Sequence, residues 1–155
     1  MIEVIILSII FLLIDQVSKL LVIKSLSINN SIEVIKNFFY LTYTNNDGAA
    51  FSILTGKRIF LIVVAIAIII ILFYYIKKNK IEKKLDILAF SLIIGGSLGN
   101  LIDRIIRGVV IDFFDVKIFD YNFPIFNVAD SFIVIGTFLL LITISRKDKH
   151  NEDRK

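Results

Sequence analysis

The chain has 155 residues, of which 57% are hydrophobic, and its mean hydropathy of +0.83 exceeds what a soluble domain shows. It has no cysteine, and its one histidine, His150, lies in a charged tail. This composition excludes disulfides, thiolate metal sites and cysteine nucleophiles, and it leaves no histidine where a metal site or a Ser–His–Asp triad needs one. We expect one integral-membrane domain that covers residues 1–155.

Long apolar runs organise the chain. In chain order they cover about 2–23, 59–76, 85–106 and 126–144. Each approaches the roughly 20 residues that a helix needs to cross a bilayer. The first run is interrupted by Asp15, Gln16, Ser18 and Lys19, but it lacks a basic leader and an A-x-A-like cleavage site, so we treat it as a retained helix. The predicted fold is an all-α membrane bundle of four transmembrane helices.

Basic residues predict the orientation of this bundle. The loop at about 77–84 and the tail at about 145–155 carry ten lysines and arginines, whereas the segments at about 25–58 and 107–125 carry five. Because positive charge favours the cytoplasmic side, we expect the loop, the tail and both termini to be cytoplasmic. The other two segments are then extracytoplasmic. The charge needs no nucleic-acid partner to explain it.

The two extracytoplasmic segments are predicted to form a small β element. Residues 32–44 and 109–119 are rich in β-branched and aromatic side chains, which is typical of strands. The Asn45-Asn46-Asp47-Gly48 sequence between the first segment and the second helix is a strong turn signal. We expect the β element on the outer face of the bundle.

Polar residues at membrane depth mark a candidate site in the third helix. Gly95, Gly99 and Asp103 share one face at spacings of four, and Asn100 and Arg104 lie in the adjacent row. A GxxxG-type packing surface explains the glycines. It does not explain the aspartate, and an ionisable group at this depth is a functional-site hypothesis.

A second aspartate lies at a similar depth in the fourth helix. Asn127 and Asp130 could simply be an N-cap and a first-turn acid. However, Asp103 is three residues before the outer end of the third helix and Asp130 four residues after the start of the fourth, so each lies roughly 5 Å below the same boundary. Two such carboxylates favour a state with one shared proton, in which one acts as base and the other as acid. That arrangement suits an aspartic peptidase.

Five segments of the chain resemble the motifs of lipoprotein signal peptidase (signal peptidase II), the bacterial integral-membrane aspartic peptidase family. The matching motifs are D-Q-x-x-K, N-x-G-A-A-F, G-G-x-x-G-N-x-x-D-R, V-x-D-F and F-N-x-A-D, in that order along nearly the whole chain. Here they are Asp15-Gln16-Val17-Ser18-Lys19, Asn46-Asp47-Gly48-Ala49-Ala50-Phe51, the ten residues from Gly95 to Arg104, Val110-Ile111-Asp112-Phe113, and Phe126-Asn127-Val128-Ala129-Asp130.

The resemblance implies that Asp103 and Asp130 are the catalytic dyad. It further implies substrate-binding or supporting roles for Asp15, Lys19, Asn46, Gly48, Asn100, Arg104, Asp112 and Asn127. The two asparagines beside the dyad can hydrogen-bond the substrate backbone, and Arg104 can hold Asp112 or a substrate carbonyl. For Asp15 and Lys19, an ion pair at spacing four is an equal alternative.

The implied substrate is a prolipoprotein that carries diacylglycerol on a cysteine, and cleavage falls just before that cysteine. The resemblance implies no metal and no organic cofactor, no nucleic acid and no obligatory protein partner besides substrate and membrane lipid. It places the enzyme in the bacterial cytoplasmic membrane, with the active site near the extracytoplasmic face.

Two other functions use the same residue types. Paired intramembrane acids also serve small transporters and proton relays, although four helices without an inverted repeat leave little room for alternating access. A Ser–Lys peptidase would use Ser18 or Ser25 with Lys19 or Lys24. Lysines near a helix end can extend to the interface and stay charged, which disfavours that chemistry.

Overall fold

The computed structural model describes residues 1–49, 53–118 and 121–152. Within them, four helices are long and apolar enough to cross a membrane, as the sequence predicted. They are α1 (Ile2–Ser25), α2 (Arg58–Lys78), α3 (Lys84–Ile106) and α4 (Val128–Glu152), the last counted over Val128–Ser145 as a membrane span. A helix satisfies its backbone polar groups within its own segment, as lipid requires, and the apolar length of these helices matches the hydrocarbon core.

Helix α3 lies at the centre of the bundle. In its most apolar stretch 67% of the residues are buried, against 6% in α2, and α3 packs against each of the other three helices. Glycines allow the close contacts: a Cβ at Gly96 would collide with the carbonyl oxygen of Ala129 in α4, and one at Gly95 would lie 2.8 Å from the Ser8 carbonyl oxygen in α1. The packing role expected for these glycines is therefore present.

A small antiparallel sheet covers one end of the bundle. Its strands are β1 (Ser31–Ile35), β2 (Phe39–Asn46) and β3 (Val110–Ile118), and the two-residue β4 (Tyr121–Asn122) pairs with β3. The strand order is β1–β2–β3–β4. This sheet is the β element that the sequence predicted.

The prediction of one strand over 32–44 is wrong, because this segment contains a hairpin. The chain reverses at Asn37, which adopts a φ of +57°. Asparagine tolerates this left-handed conformation, and its backbone N–H donates to Glu33 Oε1 at 2.8 Å, which stabilises the reversal. At the other end β2 extends through Asn46, into the predicted turn at 45–48.

Contacts between the sheet and the helices position β3 over the ends of α1 and α4. Val22 of α1 packs with Tyr43, Ile111 and Phe113 in one buried cluster. The backbone of Phe126, just before α4, exchanges hydrogen bonds with that of Phe114 in β3. Asp112 is thereby held at the start of α4. Ala50 and Phe51 of the second motif, and residues 119, 120 and 153–155, lie outside the described residues.

Candidate active site

Four charged side chains form what we call the buried ion cluster, defined as Asp15, Lys19, Asp103 and Arg107. The ammonium of Lys19 lies 2.9 Å from Asp15 Oδ2 and 2.8 Å from Asp103 Oδ2. Arg107 pairs with the other oxygen of Asp103. Both acids and Lys19 have no exposed side-chain surface. Two carboxylates thus balance two cations, as burial of charge requires.

Both carboxylate oxygens of Asp103 accept from donors of the protein. Its Oδ1 also accepts a hydrogen bond from Gln16 Nε2 at 3.2 Å, and its Oδ2 one from the backbone N–H of Ile111 at 3.3 Å. Each oxygen therefore has a cation and a neutral donor. Asp103 connects α1, α3 and the start of β3, which is the arrangement expected of a structural ion pair.

Asp15 connects α1 to the beginning of α4. Its Oδ1 accepts the backbone N–H of Ala129 at 2.9 Å, in the first turn of α4, while its Oδ2 faces Lys19. A carboxylate at this position satisfies one of the otherwise unpaired N–H groups of the helix start and interacts favourably with its dipole. The Asp15–Lys19 ion pair that the spacing suggested is thus present.

Asn127 and Asp130 form a reciprocal cap at the start of α4. Asn127 Oδ1 accepts the backbone N–H of Asp130 at 2.9 Å, and Asp130 Oδ2 accepts that of Asn127 at 3.2 Å. This is the capping geometry considered from the sequence. It uses only one side-chain atom of each residue. The Asn127 amide nitrogen and Asp130 Oδ1 face other partners, so capping and a role in the site are compatible.

Asp112 faces the same asparagine from β3. Its Oδ1 accepts from Asn127 Nδ2 at 2.7 Å and its Oδ2 from Asn46 Nδ2 at 2.9 Å. The side chain is buried, and its hydrogen-bond partners among the described residues are neutral amides. Burial, and next the nearby charge of Asp130, raise the pKa of Asp112 to about 7.

Asn100 joins the ion cluster to Asp130. Its Oδ1 accepts from Lys19 Nζ at 2.9 Å and from Asn127 Nδ2 at 3.1 Å. Its Nδ2 donates to Asp130 Oδ1 at 2.7 Å. Asp103 is therefore connected to Asp130 only through Lys19 and Asn100 in the hydrogen bonds of the described residues. Asp112 is connected to Asp130 through Asn127, whose side chain binds Asp112 Oδ1 and the backbone N–H of Asp130 and whose own backbone N–H donates to Asp130 Oδ2.

Arg104 holds the chain that follows β2. Its Nη2 donates to the carbonyl oxygen of Gly48 at 2.6 Å, and the Gly48 N–H donates to Asn46 Oδ1 at 2.9 Å. The expected contact with Asp112 is thus indirect: Arg104 binds Gly48, Gly48 binds Asn46, and Asn46 binds the aspartate. The guanidinium lies close enough to both Asp112 and Asp130 to interact with their charges.

Comparison with known proteins assigns the chain to a family. Residues 7–146 match the family model described as signal peptidase (SPase) II. The chain belongs to the signal peptidase II family. It is 45% identical over 142 residues to a Staphylococcus carnosus protein named lipoprotein signal peptidase, with 89% of each chain covered. It is also 45% identical over 145 residues to a Clostridium tetani protein of that name, covering 93% of this chain and 92% of the relative.

Solved structures support the same family fold. A structure described as a bacterial membrane enzyme, determined by the in meso method at 2.3 Å resolution, matches with a TM-score of 0.89 at 40% identity, covering 98% of this chain and 92% of that chain. A second structure of that description, at 1.9 Å resolution, matches with a TM-score of 0.82 at 40% identity and 91% coverage of each chain. This signal peptidase II family member is a membrane-embedded, multi-pass peptidase.

The Ser–Lys alternative loses its best candidate pair in this structure. Ser18 Oγ donates to the carbonyl oxygen of Asp15 at 2.7 Å, and Lys19 is held in the buried ion cluster. A serine nucleophile needs its hydroxyl proton taken by the neighbouring base. Neither group is arranged for that transfer.

The predicted site residues are brought together, and among the described hydrogen bonds and ion pairs Asp103 and Asp130 have no direct contact. Asp130 is partly exposed and close enough to Asp112 for their charges to interact, whereas Asp103 is fully buried between two cations. Sequence reasoning also missed Arg107 and Gln16 as partners of Asp103. Arg107 could have been found, because it follows Asp103 at spacing four on the same helix face.

Proposed function

We propose that this peptidase removes the signal peptide from diacylglyceryl-modified prolipoproteins by cleaving just before the lipidated cysteine, with Asp112 and Asp130 as its catalytic pair. This acid pair replaces the Asp103–Asp130 pair expected from the sequence. One observation carries the choice. The Asn127 side chain binds both Asp112 Oδ1 and the backbone N–H of Asp130, and neither carboxyl has a direct cation partner among the described ion pairs, whereas both oxygens of Asp103 face a cation.

The surroundings of the two carboxyls support different roles in peptide hydrolysis. Asp130 accepts hydrogen bonds from Asn100 Nδ2 and from the backbone N–H of Asn127, which suit an ionised base. The pKa of Asp112 near 7, raised by burial and by Asp130, lets this carboxyl keep a proton in neutral conditions. Two neighbouring carboxyls in different environments are the usual basis for dividing acid and base roles.

The reaction then runs as general acid–base catalysis. Asp130 takes a proton from water as the water oxygen bonds to the scissile carbonyl carbon, and Asp112 gives its proton to the carbonyl oxygen. In the second step the C–N bond breaks, the cysteine nitrogen receives the proton held by Asp130, and Asp112 recovers a proton from the collapsing hydroxyl. Protons and charge balance, and both carboxyls return to their starting states.

The position of the acid pair fits a lipid-anchored substrate. It lies where β3 meets the first turn of α4, so acyl chains can remain in hydrocarbon while the peptide reaches the aspartates. The excess of basic residues at 77–84 and 145–155 favours cytoplasmic termini and a site at the extracytoplasmic face of the bacterial cytoplasmic membrane. We expect membrane lipid and prolipoprotein to be sufficient, without a protein partner or cofactor.

The decisive experiment uses the full chain, purified and reconstituted in phospholipid vesicles. A diacylated prolipoprotein and its unlipidated form are incubated with wild type, Asp112→Asn and Asp130→Asn. We expect wild type to cut the lipidated form before its cysteine and both variants to be inactive although folded. Cleavage of both substrate forms at similar rates would refute the proposed substrate, and near-normal activity of Asp112→Asn would refute the acid pair.

A further inference from the structure

The hydrogen bonds between the buried ion cluster and the acid pair have a fixed direction. An ammonium has donors and no acceptor, so the atom of Asn100 that faces Lys19 at 2.9 Å must be the amide oxygen. The NH2 group of Asn100 is thereby turned to the other side, where it lies 2.7 Å from Asp130 Oδ1. A donor in that place favours a carboxylate that carries no proton on Oδ1.

The orientation of the Asn127 side-chain amide agrees with that of the Asn100 amide. The backbone N–H of Asp130 occupies Asn127 Oδ1, so the Asn127 amide nitrogen must face Asp112 Oδ1 at 2.7 Å and Asn100 Oδ1 at 3.1 Å. The two hydrogens of this NH2 group thus serve one acceptor each. On Asn100 Oδ1, the bond from Asn127 is longer than the charge-assisted bond from Lys19, so Lys19 is the stronger of the two donors that fix this amide.

We propose that Lys19 is a positioning residue that fixes the amide of Asn100 and thereby keeps Asp130 as the proton-free member of the acid pair. The inference rests on the proposed function, because it assigns the base role within that pair. Lys19 has no exposed side-chain surface. It cannot touch substrate, so it acts on the acid pair through Asn100, which it binds directly, and through its charge, which also reaches Asp112.

Charged groups around Lys19 and the acid pair set the conditions for a test. Lys19 is faced by Asp15 from its own helix and by Asp103 from α3, with Arg107 on the far side of Asp103. The acid pair is faced by Arg104 from α3. Removing Lys19 alone would leave the ion cluster with a net negative charge, and this imbalance could impair folding.

Two variants separate positioning from stability, and the second of them keeps the cluster charge-balanced. Asp15→Asn removes one charge of the cluster but keeps the bond between Lys19 and Asn100. Asp15→Asn/Lys19→Met removes one acid and one cation, so Asp103 and Arg107 still balance each other, but Asn100 Oδ1 loses its charged donor and keeps only the longer bond from Asn127. Without Lys19, the Asn100 amide can turn its oxygen to Asp130, which then favours a protonated carboxyl.

The test measures kcat and KM on a lipidated prolipoprotein and the infrared carbonyl stretch of protonated carboxyls, with full-length protein in vesicles at pH 7. Relative to Asp15→Asn, we expect the double variant to lose about tenfold or more in kcat, with KM changed less than about twofold. We also expect a new protonated-carboxyl band that disappears when Asp130→Asn is added. Lys19→Met alone should show the same band if it folds.

Other outcomes overturn the inference. If Asp15→Asn and the double variant have the same kcat and the same infrared bands, Lys19 acts only on stability. If the new band appears but Asp15→Asn/Lys19→Met/Asp112→Asn removes it, Lys19 controls the other aspartate. The infrared band does not depend on turnover, so the inference about Lys19 can fail while the proposed function stands. Near-normal cleavage by Asp130→Asn would reject the proposed function by itself.

Discussion

The buried ion cluster and the acid pair lie next to each other and contain the same kind of carboxyl group, yet their surroundings differ. In the cluster, two carboxylates are matched by two cations at hydrogen-bond distance. In the acid pair, the carboxyls are held by neutral amides, and Arg104 acts on them only from a distance. Charge-matched carboxylates stabilise a fold, whereas under-compensated carboxyls can exchange protons. Burial of an aspartate therefore does not identify it as catalytic; its partners do.

The largest effect is expected from the acid pair itself. Asp112→Asn and Asp130→Asn should each lower the cleavage rate of a lipidated substrate by about a thousandfold or more, because an amide cannot exchange the proton. The double variant should be hardly worse than either single variant, since the two carboxyls act as a unit. Rates are measured in vesicles alongside thermal unfolding.

Thermal unfolding distinguishes the loss of a catalytic group from a defect in folding. Asp112→Asn removes a buried carboxyl that is costly to ionise, so at pH 8 its unfolding temperature should equal or exceed that of wild type. An inactive variant that is also clearly less stable at pH 8 would indicate that Asp112 supports the fold rather than the reaction.

The second prediction concerns Asp103, which should act mainly on stability. Asp103→Asn leaves Lys19 and Arg107 without a shared counter-ion, and breaking a buried pair in this way costs about 3–5 kcal/mol in the free energy of unfolding. The matched control is Asp103→Asn/Arg107→Gln, which restores the charge balance and should recover part of the loss. Chemical denaturation in mild detergent measures both.

The activity of Asp103→Asn tests whether Asp103 takes part in catalysis. Cleavage per folded molecule should fall far less than in Asp112→Asn. If instead Asp103→Asn is stable and fully inactive, the pairing expected from the sequence is correct and the acid pair proposed from the structure is not.

The comparison also explains what the sequence could predict and what it could not. The four helices follow from apolar length, and the similar depth of Asp103 and Asp130 follows from helix rise. The partner of Asp130 depends on strand register, which places Asp112 opposite Thr44 and over the start of α4. The neutralisation of Asp103 depends on Lys19, in another helix and far away in the sequence. Neither spacing nor periodicity within one segment reports such contacts.

The third prediction, of intermediate size, concerns Arg104. Arg104→Lys should lower kcat/KM by about tenfold, because lysine offers a point charge where the guanidinium holds the Gly48 carbonyl through Nη2 and the Asn100 carbonyl through Nη1. The matched control is Arg58→Lys. Arg58 donates to the carbonyl oxygens of Arg104 and Ile105 at the end of α3, so it supports the same helix end without touching Gly48. Equal losses of kcat/KM in Arg104→Lys and Arg58→Lys would mean that the effect comes from the end of α3 and not from the contact with Gly48.

The smallest effect is the pH dependence of wild type, which follows from the pKa of Asp112 near 7. Asp112 gives its proton to the scissile carbonyl, so the cleavage rate should fall as pH rises. The expected fall is about fivefold between pH 7 and pH 8, because the protonated fraction drops from one half to about one tenth.

The stability of the fold should depend on pH for the same reason. The folded chain keeps this proton up to about pH 7, while the unfolded chain releases it near the ordinary value of 3.8. The free energy of unfolding should therefore decrease with rising pH across that window. Asp112→Asn should remove this contribution to the slope. Glu33→Gln is the control. Hydrogen bonds from the Asn37 N–H and the Tyr40 hydroxyl lower the pKa of Glu33, so this exposed group does not titrate near neutrality, and its replacement should leave both profiles unchanged above about pH 6. A rate that stays level from pH 6 to pH 9 would mean that Asp112 does not supply the proton.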